Sequence, residues 1–335
     1  MMSMLKRSNL VGICVSSFVL LSWLLILFYK YEHFGYYDWD LAYFAQAMFN
    51  LSHGSTYASI FDANFFANHS NLISILLVPF YKVFTCPFFL VFLKVFSYVT
   101  AGYLIFLISK ERLGAGIAVI LMILYFCYPP NVFGLLYEFD FESIAPGLLV
   151  LLYFFYKKDN WIGFMVTAIL VILIKENLPL IVAAFGLCGM VQKQKKFIWG
   201  VVPFLLGIIS FVVLTNIIIP LAGSHALGNH PYMGHYSKFG NSFVSIVFNL
   251  IAHPGFIINK LGLHHNLVWI FEMIGPLIFM PLADFGSLVL VLPIFLMHLL
   301  SSAYQEHTIY YAYSLTMVPF LFLGTIQVLS HLKLV

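Results

Sequence analysis

Charge is what this chain has least of: Asp, Glu, Lys and Arg together make up 9% of its 335 residues, too few to solvate the surface of a protein in water. The basic residues are dispersed and the formal charge is only +3, so no basic face for nucleic acid is present. Four cysteines (Cys14, Cys86, Cys127, Cys188) stand in apolar segments without paired or metal-ligand spacing. That scatter argues against a disulfide framework or a zinc site and for buried, inert thiols. Tandem repeats, low-complexity tracts and a hydrophilic domain are also missing, so residues 1–335 read as a single integral membrane domain.

What the chain does have is apolar length. Hydrophobic residues make up 62% of it and the mean hydropathy is +0.98, with several runs near the roughly 20 residues that span a bilayer as a helix. The first run, 10–28, follows Lys6 and Arg7, is long for a signal peptide and shows no small-residue cleavage pattern, so it reads as a retained span. The further expected spans are 88–109, 115–128, 143–156, 160–174, 178–191, 197–220, 267–281, 286–302 and 310–330. The fold class is therefore all-α, a polytopic helical membrane protein of about ten transmembrane helices. The segment 71–84 is too short to cross and reads as re-entrant or interfacial.

Lysine and arginine set the orientation. Ten of the 16 fall on one side of this arrangement, against three acids there, while the other six bases share the opposite side with ten acids. Both termini are then cytoplasmic in a cell inner membrane, and the external loops cover about 29–70, 129–142 and 221–266. In the first of these, Leu41, Phe44, Ala45, Met48 and Phe49 follow the spacing of one helical face, Asp40 is placed to cap the helix, and Gly54 is placed to end it.

The scarce acids gather in two clusters, Asp38-Trp39-Asp40 and Glu138-Phe139-Asp140-Phe141-Glu142. A carboxylate near lipid is costly, so such groups line a cavity or do work. Asp40 or Asp38 can take a proton from a hydroxyl as a general base; the plainer alternative is a helix cap and a solvated loop residue. If 138–142 is extended, its three carboxylates share one side, with Phe139 and Phe141 on the other. Asp140 and Glu142 could then hold a divalent cation such as Mg or Mn, and all three could bind sugar hydroxyls, or they could simply favour the start of the next helix. Both clusters are expected to open into one outward cavity. Lys175-Glu176-Asn177 interrupts two apolar runs on the same side, where Lys175 could meet a lipid phosphate. His69 stands before the short 71–84 segment and could donate to a phosphate or position an acceptor. His225, His230 and His235, at five-residue spacing, read as structural. The stretch 304–313, with His307 and Glu306 among tyrosines, suits a sugar-contacting wall or an aromatic belt.

These features in order (YYDWDLAYFAQAMFNLSHG, a His before a short apolar element, YPP, FDFESIAPG, the KE step and SSAYQEHTIYYAY) resemble an uncharacterised bacterial family of predicted membrane proteins. The layout is in turn similar to that of type C glycosyltransferases, which take sugars from polyprenyl-phosphate carriers. The resemblance implies that Asp40 or Asp38 is the catalytic base, and that Glu138, Asp140 and Glu142 occupy the place of the second acidic motif. A large C-terminal extracytoplasmic domain of the kind several such enzymes use is missing. The implied partners are a membrane lipid and a polyprenyl-phosphate sugar, and the implied activity is sugar transfer to an acceptor on the external face. A transporter or lipid flippase, or a non-catalytic scaffold, are the rival readings of the same acids.

Overall fold

A computed structural model describes residues 2–36, 39–223 and 233–333. Its helices in chain order are α1 (Met2–Glu32), α2 (Asp40–Ser52), α3 (Ile73–Val83), α4 (Phe88–Leu113), α5 (Ala115–Phe126), α6 (Pro129–Leu136), α7 (Ala145–Lys157), α8 (Trp161–Ile174), α9 (Pro179–Gln192), α10 (Phe197–Leu221), α11 (Phe243–Ala252), α12 (Gly255–Leu261), α13 (His264–Ile274), α14 (Phe285–Leu300) and α15 (Val318–Lys333). The only strands among the described residues are Tyr57–Ala58 and Ala63–Asn64, an antiparallel pair in the first loop.

Among the described residues, four helical stretches are long and apolar enough to cross a membrane: Asn9–Glu32, Phe88–Leu113, Phe197–Leu221 and Ala312–Leu332. Two bent pairs raise the number to six, α5 with α6 at 42° and α11 with α12 at 88°. Length and composition of the described helices thus account for four to six of the ten expected crossings. Residues 160–174, 178–191 and 286–302 form helices of 14, 14 and 16 residues. At about 1.5 Å per residue these rise about 21–24 Å, short of the roughly 30 Å hydrocarbon core. The expected span 267–281 breaks after Ile274, where Gly275-Pro276 ends the helix and Ile278 and Phe279 take left-handed backbone angles. In the expected loop 221–266, the described part folds into the apolar helices α11 and α12, turned at Pro254. Composition identifies apolar segments; these prolines decide which of them stay straight. The short segment before Pro87 is a single 11-residue helix, α3, as its length implies.

Helix α4 lies at the centre, enclosed by α1, α5, α7 and α15. Helix α1 lies outside, with Phe18, Leu21 and Leu25 exposed as on a lipid-facing helix. Helices α9 and α10 approach through glycine: a Cβ on Gly189 would stand 1.9 Å from the Trp199 carbonyl oxygen, and one on Gly186 2.4 Å from the Phe204 nitrogen. Such contacts let two backbones meet where no hydrophobic effect drives helices together in lipid. Helix α2 buries Leu41, Phe44, Ala45 and Met48, but Tyr43 is buried too and Phe49 is exposed, so the apolar face is turned from the one expected. Gly54, at φ +82°, follows its end and supplies the left-handed stop.

Candidate functional site

The second acidic cluster is positioned by a buried lysine. Lys94 on α4 donates from Nζ to the carbonyl oxygens of Gly134 (3.3 Å), Tyr137 (2.8 Å) and Glu138 (3.1 Å), tying down the end of α6 and the chain after it. Phe139 and Phe141, both fully buried, meet Phe44 of α2 edge-on at 5.6 and 5.4 Å, which docks the first loop against the second. The two acidic clusters are thus neighbours although about a hundred residues separate them.

Their carboxylates take different partners. Glu138 Oε2 accepts the Leu41 N–H at 2.8 Å, so the cap of α2 comes from across the chain. Asp40 forms the first residue of the helix, after Trp39 at the N-cap position, and its Oδ2 accepts from the Tyr137 hydroxyl at 2.9 Å. Asp38 lies outside the described residues. Asp140 caps a short 3-10 turn, Phe141–Ile144, by accepting the Glu142 N–H at 2.6 Å. That turn replaces the expected extended backbone and swings Glu142 toward α8. Lys175 Nζ donates to Glu142 Oε2 at 2.7 Å and lies 3.5 Å from Asp140 Oδ2, while Asn177 Nδ2 donates to Glu142 Oε1 at 3.1 Å. Burial would lower the Lys175 pKa, but the two carboxylates hold it well above the ordinary lysine value. The expected free phosphate ligand at Lys175 is a lysine already engaged by acids. The same geometry does not suit a divalent cation at Asp140 and Glu142, because Lys175 supplies the positive charge between them. Among the described residues no three potential ligands cluster for a metal.

The next residue closes a second link. His69 Nδ1 donates to Glu176 Oε1 at 2.6 Å, and the Ser70 N–H and hydroxyl donate to Oε2 at 3.1 and 3.4 Å. Burial would raise the Glu176 pKa, but His69 and Lys175 outweigh it and bring it down to about 2. A third link joins residues that the sequence left unassigned. Glu306 accepts from His298 Nδ1 (2.8 Å) and the Ser301 hydroxyl (2.8 Å), with His235 Nδ1 at 3.4 Å. Against burial, which would raise it, these donors hold Glu306 well below the usual carboxylate range, and Glu306 in turn raises His235.

All three links border one cavity of about 500 Å³, within the range of small-molecule sites. His69, Glu142, Lys175 and Glu176 line it, together with His235, His298, Glu306 and Tyr313. The rest of the wall is mostly apolar and comes largely from α10, α11 and α14, with Phe211, Ile246 and Leu296 among its residues and Asn241 and Ser242 at the start of α11. Asp40, Glu138, Asp140 and His307 are not among the lining residues. His307 stacks instead on His265 at 5.3 Å and on Trp269, and burial, then Lys260 and His265, lower its pKa. His298 was missed although it carried a readable signal, an ionisable residue inside an apolar helix. Glu306 reads in the sequence only as part of the 304–313 wall or belt, and His235 only as structural, since both stand in loops where charge is ordinary.

Apolar helices around a cavity walled by paired ionisable side chains define a polytopic helical membrane protein. The chain belongs to the family of predicted membrane proteins described as DUF2079, which matches residues 30–334. No curated protein matches it, and no solved structure does.

Proposed function

We propose that this is a glycosyltransferase-like membrane protein that transfers a sugar from a polyprenyl-phosphate carrier to an acceptor on the external face of the cytoplasmic membrane. One observation carries the reading: the cavity has two chemistries, a polar end of carboxylates, amides and imidazoles and an apolar wall on α10, α11 and α14. A lipid-linked sugar has the same two parts. Its hydroxyls suit Glu142, Asn177 and Glu176, and its chain suits the apolar helices. The resemblance read in the sequence to the layout of type C glycosyltransferases suggests the same substrate class, and the excess of lysine and arginine on the opposite loops of the expected arrangement supports the orientation, with both termini cytoplasmic.

The test is to incubate the purified protein in liposomes with radiolabelled undecaprenyl-phosphate hexoses and membranes from a deletion strain as acceptor. Release of undecaprenyl phosphate with label moving to a new product is expected; a wild-type protein that leaves every such donor intact would refute the reading. A second reading, proton-coupled transport, draws on the carboxylate–histidine pairs and on the α11–α12 bend at the cavity wall. It predicts an altered solute or proton gradient in the deletion strain with an unchanged pool of polyprenyl-phosphate sugar.

A further inference from the structure

The carboxylates that line the cavity are poor proton acceptors as they stand. Both oxygens of Glu142 are taken, by Lys175 and by Asn177, and both oxygens of Glu176 by His69 and Ser70. Glu306 is held by Ser301, His235 and His298. Asp40, the base implied by resemblance, is not part of the cavity wall.

His298 is different. It projects from α14 into the wall of the cavity and is 4% exposed. Ionised Glu306 can only accept, so the bond at 2.8 Å requires the hydrogen on Nδ1 and leaves the lone pair of the neutral ring on Nε2. Nε2 is buried and has no hydrogen-bond partner among the described residues. A buried acceptor left in this condition is costly, which makes a hydroxyl brought by a ligand its natural partner. The ring is also fixed from the side, meeting Tyr313 at 5.7 Å. Among the described residues, Glu306, His235, Tyr236 and His307, Tyr313, and Lys175 behind Tyr313 are ionisable groups around it.

We propose that His298 is the general base of this cavity, accepting at Nε2 the proton of the acceptor hydroxyl, with Glu306 as its positioning residue. The role rests on the transferase reading above. As the acceptor oxygen bonds to the anomeric carbon, its proton passes to Nε2. The bond from the anomeric carbon to the phosphate oxygen breaks, and its electron pair leaves with polyprenyl phosphate. The sugar phosphodiester, with one negative charge, becomes a phosphate monoester with two. The imidazole gains the balancing positive charge beside Glu306.

The experiment compares wild type, His298→Asn, His298→Gln and Glu306→Gln in liposomes, with the undecaprenyl-phosphate hexoses and acceptor membranes named above. Asn keeps a donor near the position of Nδ1 for Glu306 and lacks Nε2. The expected result is transfer reduced about 10²–10⁴-fold in both His298 variants, with donor binding within about threefold of wild type. His298→Ala should regain part of its rate with added imidazole, which keeps the test decisive if either larger variant folds poorly. Glu306→Gln should lower kcat while leaving the KM for the donor within about threefold of wild type, because the ring loses the ionised acceptor that fixes its hydrogen on Nδ1; a merely structural Glu306 would not separate kcat from KM in this way. Transfer by folded His298→Asn within about threefold of wild type overturns the role of His298 while leaving the transferase reading intact. Absence of transfer by the wild type overturns both.

Discussion

Removing Lys175 should destabilise the protein far more than removing its partner Glu142, and removing both should cost less than removing the lysine alone. Lys175 and Glu142 have side chains 7% and 2% exposed and stand 2.7 Å apart, so neither is solvated by water. Breaking such a pair by deleting one member typically costs about 3–5 kcal/mol, because the other is left buried and uncompensated. Lys175→Met is the severe case, since it strands Glu142 and weakens the hold on Asp140 at 3.5 Å. Glu142→Gln is milder. It keeps an oxygen for Asn177, and Lys175 retains Asp140, whose side chain is 21% exposed and so partly solvated. A loss of about 1–3 kcal/mol is expected there, the cost of a weakened charged hydrogen bond. The double variant strands only Asp140, which water reaches, and should recover about 3 kcal/mol relative to the sum of the single losses, more than Glu142→Gln costs by itself.

The assay is denaturant unfolding of detergent-solubilised protein followed by tryptophan fluorescence, read as a double-mutant cycle. Additive losses, with the double variant less stable than Lys175→Met, would show that the two side chains are not coupled. The buried link at the polar end of the cavity would then be ruled out. A Lys175→Met protein within about 1 kcal/mol of wild type would do the same, since that is the scale of an exposed pair.

Impermeant thiol reagent applied to intact cells should modify a single cysteine at position 55 and spare one at position 194, in a background without Cys14, Cys86, Cys127 and Cys188; the reverse pattern overturns the orientation argued from the basic loops. Glu138→Ala should lower stability by about 0.5–2 kcal/mol through loss of the bond to the Leu41 N–H, and Glu138→Gln, which keeps an acceptor, should lose less than half of that on thermal unfolding. Gly189→Ala should destabilise the packing of α9 on α10, because the added Cβ would lie 1.9 Å from the Trp199 carbonyl oxygen; an unchanged unfolding temperature would contradict that approach. Glu176 has a folded pKa of about 2 against an ordinary value of 4.5, so its stabilisation is complete above about pH 4.5 and is lost as pH falls toward 2. The stability gap between wild type and Glu176→Gln should therefore be present at pH 5 and close on acidification, and a gap unchanged at pH 3 would contradict the sign.

Different parts of this molecule were legible to different degrees, for physical reasons. Apolar run length fixes a membrane class, because hydropathy sums over many residues and survives local errors. Span number does not follow from it: Pro254, and Gly275-Pro276 before the left-handed Ile278 and Phe279, break segments whose composition reads as continuous or as loop. Gly54 was legible because a helix stop is a property of one residue and its own φ. The split of the acidic cluster was not, since the alternation argued for Glu138, Asp140 and Glu142 holds only for extended backbone and Asp140 closes a 3-10 turn. Pairings such as His69 with Glu176, 107 residues apart, follow from tertiary packing that no local pattern encodes.

The charges around the cavity also bear on how a lipid phosphate is received. Lys175 is matched by Asp140 and Glu142, His69 by Glu176, and His235 and His298 by Glu306, so a phosphodiester entering the polar end meets no cation that lacks an acid. Neutral donors at the wall, such as the Asn241 amide, are better suited to hold it in the ground state. In the proposed reaction the balance changes at the moment of transfer. His298 becomes an imidazolium as the departing phosphate gains its second negative charge, and both changes occur in a cavity walled by apolar helices, where charge is poorly screened. An interaction that strengthens only as charge develops lowers the barrier without tightening the substrate complex. On this reasoning His298→Asn should depress kcat and leave the affinity for the lipid-linked donor nearly unchanged, whereas substitution of the neutral amides should weaken donor binding first.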